Sequence, residues 1–323
     1  MSNNPQNQFT QQLGIKHPII GGPMYPCSNP ELVAAVSEAG GIGIVQPISL
    51  TYVFGYDYRA GLQFIKSLTS QPIGMNALIE KSSKRYQQRM EHWLDIALEE
   101  GVRFFITSLG KPDWVVKKVH QVGGLVYHDV TEKKWAYKAM ESNVDGLIAV
   151  NNRAGGHAGN LDAIALFDEL HQFNLPVICA GGIGSRAEYD SALDIGYAGV
   201  QMGTRFIASN ECSAKPEYKS AIVQASERDI VLSQRVTGVP VSLINTGNVE
   251  RSGTSVNPLT RFLLNSPKLK QFMRSFLFLK SMYQLKKAAF DKTHQAEFWQ
   301  AGKSVQTINQ VQSVQDIFNE FVR

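Results

Sequence analysis

Residues 176–185 read PVICAGGIGS and residues 199–209 read GVQMGTRFIAS. Each is a short β-branched and apolar run that breaks at its carboxyl end into glycines and then opens a helical pattern. Glycine there lets the backbone approach an anion, and N–H groups at a helix start point toward one. Two such signals in adjacent β/α units predict a phosphate cradle, the arrangement that a barrel of parallel strands places after its seventh and eighth strands.

The same rhythm runs back to the start of the chain. Six further apolar runs, Pro18 to Ile20, Ile42 to Val45, Ile73 to Met75, Phe104 to Thr107, Leu125 to His128 and Gly146 to Val150, precede the two already quoted. Helical patterns separate them, at Asn29 to Ala39, Lys84 to Glu100, Trp114 to Gln121, Lys133 to Glu141, Leu161 to Phe173 and Arg186 to Ile195. Eight such units predict a closed TIM (β/α)8 barrel, an α/β fold, over residues 1–212. An open doubly wound sheet is the alternative, but the GxGxxG opening of a dinucleotide-binding half is absent. Residues 213–300 then read as a mainly helical lid lobe, broken by a Gly-, Ser-, Thr- and Asn-rich loop from Thr246 to Asn257. Residues 301–323 read as a segment and helix that pack back on the barrel.

Composition is that of an ordinary globular protein: 323 residues, 43% hydrophobic, 19% charged. No apolar run is long enough to span a bilayer, and the polar start, Met1 to Gln12, lacks a signal core, so an intracellular, cytoplasmic protein is expected. Cys27, Cys179 and Cys212 are widely spaced and form no CxxC pair, which leaves a disulfide framework or a structural zinc without support. The net charge of +4 is uneven: residues 213–323 carry +7 and residues 1–212 carry −3. The basic part includes Lys268, Lys270, Arg274, Lys280, Lys286, Lys287 and Lys292, interleaved with apolar residues at three- and four-residue steps. Such a stretch can serve a membrane surface or nucleic acid. The reading adopted is a lid helix with a solvated basic face, without membrane or nucleic-acid partner.

Strand six runs into Asn151-Asn152-Arg153-Ala154-Gly155-Gly156-His157-Ala158-Gly159-Asn160. A histidine among three glycines has few side-chain walls around it, and its loop belongs to the face where barrel active sites lie. His157 is therefore the catalytic candidate, since imidazole titrates near neutrality and can take and return a proton. His92, His120, His171 and His294 fall within helical patterns, His17 precedes a strand, and His128 is a candidate for the barrel interior. Gly21-Gly22-Pro23-Met24 after strand one and Gly74-Met75-Asn76 at strand three offer an apolar ledge and an amide, which suit a flat heteroaromatic ring such as a flavin.

The strings HPIIGGPM (His17 to Met24), AAVSEAGGIGIV (Ala34 to Val45), AGGHAG (Ala154 to Gly159), PVICAGGIGS and GVQMGTRFIAS resemble the nitronate monooxygenase family, formerly the 2-nitropropane dioxygenases. The resemblance covers roughly residues 10–212, with an echo at Phe298 to Lys303. It implies non-covalent FMN, with the phosphate at Gly181, Gly182, Gly203 and Thr204 and the ring near Pro23, Met24 and Asn76. The remaining cofactor residues expected are Asp129, Gly155, Ala180 and Met202. Asp129 stands where some relatives place a lysine beside the flavin, and Lys303 where others carry glutamine. The resemblance also implies catalysis by His157, assisted by Lys303 if the lid brings it over the ring, on alkyl nitronates such as propionate 3-nitronate with dioxygen. A homodimer is a possible assembly. The AGGH loop is shared with flavin-dependent enoyl-acyl-carrier-protein reductases and NADH:quinone reductases, which form the alternative. A non-catalytic flavin-binding protein is a third reading.

Overall fold

The computed structural model describes residues 5–80, 84–236, 238–257, 260, 262, 263, 266, 269–291 and 298–322. Lys268, Lys292 and His294 lie outside them. Eight parallel strands close into a barrel in sequence order: β1 (Ile19–Gly21), β2 (Ile42–Val45), β3 (Ile73–Ile79), β4 (Phe104–Leu109), β5 (Leu125–Val130), β6 (Gly146–Val150), β7 (Val177–Ala180) and β8 (Gly199–Met202). The expected (β/α)8 architecture is thus observed. Strand three runs four residues further than expected, so Asn76 lies inside it and not at its end.

Alternation along the strands sorts side chains into two cores, because successive residues face opposite sides. Ile20, Ile42, Ile44, Phe104, Ile106, Tyr127, Ile148, Ile178 and Ala180 fill the barrel interior. Their neighbours, such as Ile19, Val45, Met75, Phe105, Val126, Leu147, Val177 and Val200, face the helices. The polar start of the chain, which carries only scattered apolar residues, forms the helix Pro5–Leu13. It plugs the amino-terminal end of the barrel: fully buried Phe9 packs at 6.4 Å on Phe104 and 5.7 Å on Tyr127, ring centre to ring centre.

The chain beyond β8 contains more than helices. An antiparallel hairpin, β9 (Ile230–Ser233) and β10 (Val241–Ile244), stands between the helix Pro216–Gln224 and the long helix Lys270–Phe290. The expected loop at Thr246 begins instead with a helix, Gly247–Ser252, because Thr246 caps it by accepting the Val249 N–H. In the long helix Leu277, Ser281, Leu285, Ala288 and Ala289 form the buried face, while Phe276, Leu279, Lys280 and Tyr283 are exposed. Its anchors are loops at the carboxyl ends of the strands. The Tyr25 hydroxyl donates to the Met282 carbonyl (2.9 Å), Lys286 donates to the Tyr52 carbonyl (2.8 Å), and Phe54 meets Phe290 edge-on. This lobe therefore sits at the active-site face of the barrel. The last helix, Val314–Phe321, packs against Pro30–Glu38 and Arg186–Ile195, with Phe318 buried beside Phe206.

Among the described residues no helix is long and apolar enough to cross a membrane, and no His, Cys, Asp and Glu cluster could hold a metal ion. All three cysteines are buried free thiols.

Candidate functional site

Four segments meet at the carboxyl ends of β6, β7 and β8. Asn151, fully buried at the end of β6, organises them: its amide donates to the Gly181 carbonyl (3.0 Å) and its Oδ1 accepts the Arg153 N–H (2.8 Å). Gly181 (φ +119°) and Gly182 (φ +83°) adopt left-handed backbone that side chains avoid. A Cβ on Gly181 would lie 2.6 Å from the Ala154 nitrogen, and one on Gly182 would lie 2.7 Å from Arg153 Nε. Gly155 abuts Gly302 and Thr204, and the Thr204 hydroxyl accepts the Gly302 N–H at 2.9 Å. Gly203 faces the Met24 thioether, since a Cβ there would stand 3.5 Å from its sulfur. Gly155, Gly181, Gly182, Gly203, Thr204 and Met24 are thus gathered from distant parts of the sequence.

Two expectations change in detail. The N–H groups of Gly184 and Ser185, just before the helix Arg186–Ile195, are taken by the Glu188 carboxylate (2.8 and 3.1 Å), which also accepts the Thr307 hydroxyl (2.8 Å). What the turn presents is the backbone of Gly181 and Gly182. Met202 faces the outer helical layer, as does Val200 two residues earlier, and contributes only its carbonyl, which takes the Gly22 N–H at 2.9 Å.

Below the cradle, inward-facing positions include Asn76 within β3, Asp129 on β5, Ala180 at the end of β7 and Gln201 on β8. Three of these hold a buried polar atom without a hydrogen-bond partner: Asn76 Oδ1, Asp129 Oδ1 and Gln201 Oε1. Buried polar atoms in native proteins are nearly always paired. Three unpaired polar atoms on inward-facing positions of one barrel are a set that a polar heterocyclic ligand can complete. A flavin, with both donors and acceptors on its edge, fits this set, and its phosphate fits the glycine cradle. Gln201 was not anticipated. The signal was a lone polar residue between Val200 and Met202 in a strand buried on both faces.

Burial pushes the Asp129 carboxyl up to about 7, with no charged neighbour contributing. His128, a candidate for the barrel interior, faces outward instead, because it alternates with Tyr127 and Asp129. Its Nδ1 pairs with the Thr107 hydroxyl at 2.8 Å and burial lowers its pKa to about 4, so it is a satisfied neutral imidazole of the outer layer.

His157 lies in the loop after β6 with an exposed ring, yet protein surrounds that ring closely enough to lower its pKa by desolvation. The hairpin helps to hold its loop, for the Ser242 N–H donates to the Gly156 carbonyl at 2.8 Å. Lys303 is committed elsewhere: its ammonium lies 3.3 Å from Glu227, whose other oxygen takes the Arg153 guanidinium at 2.8 Å. Both cations share one carboxylate, which depresses the Glu227 pKa despite its partial burial. Neither Glu227 nor the role of Arg153 carried a sequence signal, since the pairing joins residues 74 positions apart.

Several known proteins resemble this chain over most of its length. A Rhodococcus jostii protein named as a 5-hydroxy-7a-methyl-1-oxo-octahydro-indene-4-carboxyl-CoA dehydrogenase is 28% identical over 89% of this chain and 80% of its own length. A probable nitronate monooxygenase of Staphylococcus saprophyticus is 28% identical over 72% and 77%. Among solved structures, FabK from Thermotoga maritima superposes with a TM-score of 0.79 at 26% identity, over 98% of this chain and 94% of that one. Nitroalkane oxidase from Streptomyces ansochromogenes shares the fold, with a TM-score of 0.74 at 20% identity. The sequence model of nitronate monooxygenases matches residues 6–323, end to end through barrel and lobe. The chain belongs to the nitronate monooxygenase family of flavin-dependent oxidoreductases.

Proposed function

We propose that this chain is an FMN-dependent nitronate monooxygenase that oxidises small alkyl nitronates, such as propionate 3-nitronate, with dioxygen to a carbonyl compound and nitrite. The observation that carries this reading is His157: a partly desolvated imidazole held in a braced glycine loop at the carboxyl end of a barrel lined by orphaned polar atoms. Gly181, Gly182, Gly203 and Thr204 would hold the FMN phosphate. Asn76, Asp129 and Gln201 would meet its ring, and Pro23 and Met24 would lie against its face. Bound there, FMN supplies the electron-transfer chemistry.

His157 handles the proton. Because burial lowers its pKa, its ring nitrogen is unprotonated at neutral pH and can accept the α-hydrogen of a neutral nitroalkane. The resulting imidazolium then lies beside the anionic nitro group and stabilises it. The mobile charges around the cradle are already fixed by the Arg153–Glu227–Lys303 group. The positioning of the substrate anion thus falls to His157 more than to Lys303.

A second reading is favoured by two of the relatives. The Rhodococcus protein is named for a CoA thioester and FabK superposes over nearly the whole chain, which supports a reductase taking hydride from NAD(P)H. Anaerobic mixing separates the two. Rapid bleaching of the bound flavin by propionate 3-nitronate, and not by NADH or NADPH, is expected; the reverse pattern assigns the reductase activity, and bleaching by none of them assigns a binding role.

A further inference from the structure

Asp129 occupies the fifth position of β5, and its register partner Ile148 is an interior residue of β6. Its Oδ1 is enclosed and unpartnered. The groups around it carry no charge. The adjacent inward positions are Ser108 on β4 and Ile148 and Val150 on β6, with Asn76 on β3 and Gln201 on β8 at the same end of the barrel. On its own strand His128 faces away and is bonded to Thr107. Glu132, the next acid along the chain, is paired with Lys134. Arg153 and Lys303, beside the cradle, are both bound to Glu227. Of the other titratable groups among the described residues near the mouth, His157 lies in the loop after β6, Tyr25 is held by the Met282 carbonyl, and Arg205, directly after Thr204, donates to the carbonyls of Ala208 and Gln310.

An interior without a free cation has one inexpensive way to accept negative charge, which is to take up a proton. We propose that Asp129 is the proton-holding residue of the flavin site: when two electrons enter the bound ring, as from NAD(P)H, the Asp129 carboxylate takes one proton from solvent and becomes a neutral acid. That proton is additional to those bound by the ring itself. On reoxidation by dioxygen Asp129 releases it, so charge in the mouth changes by one unit less than the electrons alone would impose. A lysine at this position would offset the charge by a fixed cation, whereas Asp129 does it by titration. The buried, otherwise uncharged setting supports this, for it poises the carboxyl in the neutral range where such an exchange can occur.

The inference rests on the reading that the mouth binds a flavin, and the two can fail separately. The flavin midpoint potential of the holoenzyme is measured anaerobically against pH across the neutral range, for wild type, Asp129→Asn and Asp129→Ser. The wild-type potential is expected to fall more steeply with pH, by one proton per electron pair, while both variants retain flavin and lose the extra proton. A pH-indicator dye gives a second readout on wild type alone: stoichiometric reduction should take up more protons than free FMN under the same conditions. Equal slopes in wild type and variants, or a proton count no greater than that of free FMN, overturn the assignment while leaving the flavin site intact. A chain that cannot be reconstituted with FMN overturns both.

Discussion

Ser242, in the hairpin after the barrel, donates its backbone N–H at 2.8 Å to the carbonyl of Gly156, the residue before His157. The loop that presents the imidazole is therefore braced from outside the barrel, and Gly156 reaches this bond through a left-handed φ of +67°. A Cβ at Gly156 meets only the Gln300 side chain at 3.9 Å, so sterics leave room while the backbone resists. Gly156→Ala should cost about 1–2 kcal/mol, the usual strain of a left-handed alanine. It should also lower kcat without releasing flavin. Thermal unfolding and turnover on one preparation would check this, and unchanged values of both would remove the bond from the catalytic architecture.

His157→Asn should leave FMN bound and reduce turnover by about 10²-fold or more, the scale of a lost general base. The defect should be severe with neutral nitroalkane and milder with preformed nitronate, which has already lost its proton. Since desolvation lowers the His157 pKa, the acid limb of kcat/KM for neutral nitroalkane should fall below the ordinary imidazole value of 6.5. An acid limb above that value would assign the base elsewhere.

Gly181→Ala should empty the flavin site. The new methyl would overlap the Asn151 side chain and the Ala154 nitrogen, and the φ of +119° disfavours any side chain. The absorbance of the purified variant reports the outcome, and full retention of flavin would relocate the phosphate.

Glu227→Gln should cost about 1 kcal/mol or less, because all three members of the Arg153–Glu227–Lys303 group are about one-third exposed. Lys303→Met should likewise change kcat/KM by less than about tenfold, far less than His157→Asn. A loss at Lys303 as large as that at His157 would show that the ammonium leaves Glu227 for the substrate.

In the flavin-free protein Asp129 should contribute a loss of stability as pH rises. Asp129 has a folded pKa of about 7, above the value of about 3.9 for a free aspartate, so between these limits the folded state binds more protons than the unfolded one. The contribution of Asp129 to stability is full below about pH 4, declines up to about pH 7 and is absent above it. Asp129→Asn should abolish that decline, and denaturant titrations of the flavin-free protein on both sides of pH 7 would detect it. Parallel curves for wild type and variant would show that the carboxyl is solvated.

By itself the sequence determined the barrel, its order and the cradle. Short continuous apolar runs, two of them breaking into glycines, are local signals, and a glycine forced to positive φ, as at Gly181 and Gly182, is written into residue type. His157 was legible for the same reason: its neighbours Gly155, Gly156 and Gly159 leave it no packing role. What the tertiary structure alone decided was direction and partnership. Strand phase turned His128 outward and Asp129 and Gln201 inward, a choice that depends on where β5 and β8 enter the barrel. Lys303 was drawn to Glu227, 76 residues away in sequence, and the hairpin that braces Gly156 lay in a stretch whose composition suggested helix and loop. Such pairings arise from three-dimensional proximity, and no local propensity encodes them, because a charge or a β-bridge takes the partner that folding brings within reach.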